Sequence, residues 1–171
     1  MTQPTANDRA NYHPHLPELA QVAFRAVIQG NVRALVRVLD AGVPVDLDDQ
    51  TGNTLLMLAG YHGRPEATAV LLERGADPNR TNLRGHTPLC GAALRGDARS
   101  TLLLLERGAR VDQAGDDGRT PLMLAVMFDR AEVVVLLLEA GADASRTDRA
   151  GRGARELAQT MGVWRTQFGL G

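Results

Sequence analysis

The sequence predicts an all-α solenoid, a stack of short helix–turn–helix units, on three observations. The first is a period. Gly42, Gly75, Gly108 and Gly141 recur every 33 residues, as do Gly52, Gly85, Gly118 and Gly151, and Thr54, Thr87 and Thr120 keep the same step. A fixed period of this size marks one supersecondary unit stacked on its neighbours, a design that usually makes a binding surface and rarely an enzyme. The second is helix punctuation: capping threonines stand ahead of apolar runs and glycines behind them. The third is composition. At 44% apolar and 23% charged, 171 residues suit one soluble domain, and the repeat leaves no space for a second.

Residues 1–14 are polar, carry Pro4, Asn7, Asp8 and Pro14, and read as a flexible leader without the apolar segment of a secretory signal. The first unit is expected at 15–47, the next three at 48–80, 81–113 and 114–146, a partial C-terminal cap at 147–161, and a tail at 162–171. The unit at 81–113 shows the logic. Gly85 suits a turn. Thr87 suits an N-cap, because its hydroxyl can accept from a free backbone N–H, and Pro88 suits the first helical position, where a missing N–H costs nothing. A short helix over 89–95 is stopped by Gly96. A second, over 98–107, carries Leu102, Leu103, Leu104 and Leu105 and is apolar nearly all round, which implies packing on more than one side. Helix pairs over 54–61 and 66–74, and over 120–128 and 131–140, repeat the pattern. Leu103, Leu105, Leu136 and Leu138 are assigned to the core. In the last unit Gly153 stands where threonine would cap, so one helix is expected over 154–160, with Trp164 and Phe168 either lying over the end of the stack as a plug or forming an exposed docking tail.

Thr87-Pro88-Leu89, Thr120-Pro121-Leu122, Gly75-Ala76-Asp77 and Gly141-Ala142-Asp143 resemble the ankyrin repeat, in its G-x-T-P-L-x-x-A and L-L-L-x-x-G-A-D signatures, across residues 16–160. The resemblance implies helix pairs with hairpin-like loops projecting at right angles, a concave face, and a non-catalytic role as adaptor, scaffold or inhibitor. The departures are specific. The first unit lacks the Gly-x-Thr-Pro turn and opens with Leu16-Pro17-Glu18-Leu19, as suits an N-terminal cap. Leu55 replaces a proline, and Asp129 replaces the glycine between the helices of its unit, where aspartate tolerates left-handed backbone better than most residues.

By the same resemblance, the last two positions of each inner helix face the concave groove. Here they are Tyr61 and His62, Leu94 and Arg95, Met127 and Phe128. Soluble surfaces seldom align large apolar side chains unless something covers them, and aromatic, Met and Arg groups are enriched at interface centres. Arg84, Arg119 and Arg152 fall at or beside successive loop tips, joined by His86. Guanidinium forks in a row suit an acidic partner, unless Asp116, Asp117 and Asp148 neutralise them.

Other chemistry is weakly signalled. Cys90 lies four residues after His86, but it falls inside a helix and there is no second cysteine for a structural metal site or a disulfide. Asp48-Asp49 and Asp116-Asp117 lack the glycine and glutamate of a calcium loop and read as turn residues. Gly151-Arg152-Gly153 lacks the lysine of a phosphate loop. No catalytic residue, cofactor or metal is expected. A net charge of −1 gives no field for nucleic acid or an anionic membrane, and the apolar run 133–138 is too short to span a bilayer. All 19 basic residues are arginine and Ile28 is the only isoleucine, the composition of a GC-rich, bacterial source. The expectation is a cytoplasmic monomer that binds a protein partner. The alternative is a bacterial accessory protein that modulates or protects one enzyme or stress-response system.

Overall fold

The computed structural model describes residues 16–161; the expected leader at 1–14 and the tail with Trp164 and Phe168 lie outside the described residues. Nine helices are present among them: α1 Leu16–Gln29, α2 Val32–Asp40, α3 Leu55–Tyr61, α4 Pro65–Glu73, α5 Pro88–Arg95, α6 Ala98–Glu106, α7 Pro121–Met127, α8 Ala131–Glu139 and α9 Ala154–Met161. They run in two rows. The odd-numbered helices stack on one another as an inner row, the even-numbered ones as an outer row, and each inner helix packs on the outer helix that follows it. The connecting loops close as hairpin-like turns, with isolated antiparallel bridges at Asp48–Thr54 and Thr147–Gly153.

Local chemistry sets the helix starts. The hydroxyls of Thr54, Thr87 and Thr120 accept from the backbone N–H of Met57, Cys90 and Met123 at 3.1, 3.3 and 3.3 Å. All three threonines are buried, so the caps satisfy both sides of a polar contact inside the stack. The cap at Thr54 holds although Leu55, and not proline, begins α3. Asp129 takes φ +56°, the one positive value at a non-glycine among the described residues, at the turn where Gly30, Gly63 and Gly96 take +72°, +63° and +82°.

Small residues decide how closely the inner helices approach. A Cβ added at Gly60 would come within 3.1 Å of Pro88 O, and one at Gly91 within 3.2 Å of Met57 O. α3 and α5 therefore make the closest helix pair in the molecule, nearly backbone on backbone. Inner helices contact one another more extensively than outer ones do. Along the loops, Leu83 N donates to Thr51 O at 3.1 Å, Asp116 N to Arg84 O at 2.8 Å, and Arg149 N to Asp117 O at 3.0 Å, so each loop is fastened to the one before it.

One core assignment is corrected. The fully buried leucines of the outer row are Leu35, Leu71, Leu104 and Leu137. Leu103, Leu105, Leu136 and Leu138 are only half-buried, and Leu102 is exposed. At 3.6 residues per turn, a short helix directs one leucine of an unbroken run squarely inward. The run itself hides which one, and the buried position lies between the two expected.

Candidate functional groove

Two adjoining cavities open along the inner row. The larger, about 620 Å³, lies over α3 and α5 and is lined by Met57, Leu58, Tyr61, His62, Leu83, Arg84, His86, Cys90 and Leu94 among others. The smaller, about 310 Å³, lies at the C-terminal ends of the inner helices and is lined by Tyr61, His62, Arg64, Leu94, Arg95, Phe128 and Arg130. Tyr61, His62 and Leu94 line both and join them into one groove.

The expected groove residues separate by environment. Tyr61 ends α3 at 50% exposure and meets the His62 ring edge to face, with ring centres 5.4 Å apart. Phe128, the C-cap of α7, is 44% exposed, and Leu94 lies half-buried between them. These are apolar groups left on the surface, as Leu83 and Leu102 also are, whereas most leucines among the described residues are buried or half-buried. Met127 is half-buried, packs against the core, and lines neither cavity. Desolvation holds the His62 pKa below the usual histidine value, and the positive charges of Arg64 and Arg95 push it further down.

The loop-tip residues are tied more firmly than a free row of forks. Arg119 pairs with Asp117 at 3.5 Å and Arg152 with Asp148 at 2.9 Å, while Arg84 stays exposed with no ion pair among the described residues. Arg119 lines neither cavity. His86 packs into the next loop against Gly115, where any side chain on that glycine would collide with the imidazole. The 33-residue step explains the notch. Asp49, Asn82 and Asp148 occupy the position equivalent to Gly115, and each organises its loop by accepting backbone N–H bonds, from Thr51 and Asn53, from Arg84 and His86, and from Ala150 and Arg152. In the third of these four loops, at Gly115, the side chain is absent and His86 of the preceding loop fills its space.

Three groove residues were not anticipated. Leu83, 75% exposed, is the most exposed large apolar side chain among the described residues and sits on the rim of the larger cavity. A lone leucine between Asn82 and Arg84 in an otherwise polar turn was the available signal. Arg64 and Arg130 occupy the N-caps of α4 and α8 without capping them, where Asn31 and Asp97 cap α2 and α6 conventionally.

Catalytic chemistry finds little footing. Cys90 is buried, burial pushes its thiol pKa up, and its sulfur accepts from the Thr87 hydroxyl at 3.5 Å; a reactive thiolate needs the opposite setting. Among the described residues, no group of three His, Cys, Asp or Glu side chains could hold a metal ion, and no helix is long and apolar enough to cross a membrane.

Comparison with known families agrees with this geometry. Residues 71–148 match a model described as ankyrin repeats in three copies, and residues 38–92 match a second described as ankyrin repeats in many copies. The chain belongs to the ankyrin-repeat proteins. Such repeats are generally protein–protein interaction modules and are typically non-catalytic. No curated protein matches the chain.

Proposed function

We propose that the chain is a non-catalytic binding module that holds a protein segment along the inner-row groove, with Tyr61, Leu94, Met127 and Phe128 as apolar anchors. Arg84, His86, Arg95 and Arg119 would add charge and register at the margins. The carrying observation is that two half-exposed aromatics flank a continuous groove, in a protein with very few aromatic residues to spare. Large apolar groups converging on a concavity are the usual centre of an interface, surrounded by polar contacts that exclude water. Met127 contributes mainly by supporting Phe128, and His86 and Arg119 by fixing the loops that form the rim.

The test compares affinity capture from the source organism's own lysate by wild type and by Tyr61→Ala/Phe128→Ala, with matched circular dichroism spectra. A partner held by wild type and lost by the variant supports the groove. Equal retention by both places the interface elsewhere on the molecule and removes this reading.

A further inference from the structure

We propose that the C-terminal end of the groove is an oxyanion site, in which Arg64, Arg95 and Arg130 bind a carboxylate or phosphate group carried by the partner segment. The inference deepens the groove reading and rests on it for the identity of the anion's carrier.

Arg64 and Arg130 stand at equivalent positions of the repeat, two steps apart, and Arg95 comes from the end of the inner helix between them. Each lies over the inter-helix glycine of the preceding unit: Arg64 over Gly30, Arg95 over Gly63 and Arg130 over Gly96, with side-chain atoms 3.1, 3.4 and 2.5 Å from where a Cβ would stand. The bare glycine makes the seat into which the arginine stem settles. Two of the guanidinium groups are then pinned. Arg64 Nε donates to Ile28 O at 3.0 Å, and Arg130 Nε donates to Leu94 O at 3.1 Å, each at the C-terminal end of the previous inner helix. A guanidinium has five N–H donors, and the Nε contact uses one while holding the plane of the fork. The Nη donors of both residues, and the whole head of Arg95, have no hydrogen-bond acceptor among the described residues.

No carboxylate among the described residues pairs with them. Arg74 pairs with Asp40, Arg80 with Asp48, Arg99 with Glu66, Arg119 with Asp117 and Arg152 with Asp148, whereas Arg84, Arg107 and Arg110 are unpaired like the trio but do not share a cavity with two other arginines. Of the acidic residues close in sequence to the trio, Glu66 holds Arg99 at 2.6 Å and Asp97 accepts from Ser100 N and Ser100 Oγ at 3.0 and 2.6 Å, while Asp129 and Glu132 make no ion pair with Arg130 or any other group among the described residues. Three like charges gathered around a cavity of about 310 Å³ repel one another, and a bound oxyanion relieves that repulsion. Guanidinium forks meet carboxylate and phosphate oxygens in pairs, and forks fixed in advance lose less freedom on binding. The depressed His62 pKa is consistent with this uncompensated positive potential. The near-zero net charge of the whole chain does not register the site, because it sums 19 basic and 20 acidic residues wherever they lie.

The experiment follows the arginine Nε–Hε signals of the full-length chain by nitrogen-15 NMR, while inorganic phosphate or succinate replaces sodium chloride at constant ionic strength. The Arg64, Arg95 and Arg130 signals should shift saturably, and those of Arg107 and Arg110 should not. Arg95→Gln should weaken the affinity about tenfold, the loss expected of one charge-assisted contact, while Arg107→Gln leaves it unchanged. Arg95 makes no hydrogen bond or ion pair among the described residues, and glutamine keeps the Cγ that packs over Gly63, so Arg95→Gln spares the fold. Saturation by succinate alone assigns the site to an Asp or Glu side chain of the partner, and by phosphate alone to a phosphorylated residue. Shifts of the trio no larger than those of Arg107 and Arg110, or an Arg95→Gln affinity equal to wild type, would overturn the proposal. A failed titration beside lost capture by Tyr61→Ala/Phe128→Ala would remove this site and leave the groove; saturable anion binding beside undiminished capture would do the reverse.

Discussion

At the scale of single residues, the repeat makes every exception measurable, because each position has equivalents that serve as internal references. Asp129 is the plainest case. Its backbone takes φ +56° where three glycines sit in the same left-handed region. That conformation strains a residue with a Cβ, and aspartate only partly escapes the strain. Asp129→Gly should therefore stabilise the fold by about 0.5 kcal/mol, net of the extra freedom glycine has when unfolded. Asp129→Asn keeps a tolerant residue, removes the charge, and should change stability less. Gly96→Ala should destabilise by about 1–2 kcal/mol or more, since φ is +82° there and the new methyl would collide with Arg130. Urea unfolding of the three variants checks the order; a destabilised Asp129→Gly would mean that the aspartate side chain holds something that glycine cannot. The sequence step alone exposed Asp129, because the comparison was with glycine and the rule is conformational. The same step applied to Arg64 and Arg130 would have shown cap positions filled by residues that cannot accept an N–H. What it could not show is where the arginines go instead, since reaching back to Ile28 O and Leu94 O depends on the stacking of two units.

At the scale of elements, starts and stops were legible and rotation was not. Threonine caps and glycine stops act within a few residues, so the helices begin and end within one or two residues of their expected places. The rotation of each outer helix is set by its neighbours, and an unbroken leucine run carries no periodic contrast from which to read it. Depth of burial settles it, and truncation should report it. Leu104→Ala removes a fully buried side chain between two neighbouring outer helices and should cost about 2–5 kcal/mol. Leu102→Ala, at 46% exposure two residues away, should cost well under about 1 kcal/mol. Comparable losses from thermal unfolding of the two variants would mean that α6 is rotated from the position described. The groove was legible in part for the same reason. Tyr61, His62, Leu94, Arg95 and Phe128 follow from the family resemblance applied to each repeat, whereas the closeness of α3 to α5 follows from Gly60 and Gly91 meeting opposite backbone, a contact between units that no single repeat reveals.

At the scale of the whole molecule, stability passes from neighbour to neighbour, because each helix pair contacts only the pairs beside it. The C-terminal end shows how such a stack is closed. α9 has no outer partner among the described helices; it packs on α7 through Ala154, Leu157 and Ala158, all buried, and Gly153 N donates to Glu156 at 2.9 Å in place of the threonine cap. Leu157→Asp would put a charge into that seam, where it has to ionise out of contact with water or drive the helix off. In a one-dimensional stack the damage should stay local. Amide hydrogen exchange should accelerate most in α9, next in α7 and α8, and least in α1 and α2, with free energies of opening graded along the chain. Equal acceleration from α1 to α9 would instead show one cooperative unit, in which the inner row is too tightly coupled to open from an end. The distinction bears on binding. The oxyanion site spans all four helix pairs, with Arg64 seated on the turn of the first and Phe128 and Arg130 carried by the last, so a stack that frays from its C-terminal end would lose Phe128 and Arg130 before Arg64 and Arg95. Anion affinity in Leu157→Asp should then fall together with the protection of α7 and α8, and not with that of α3 and α4.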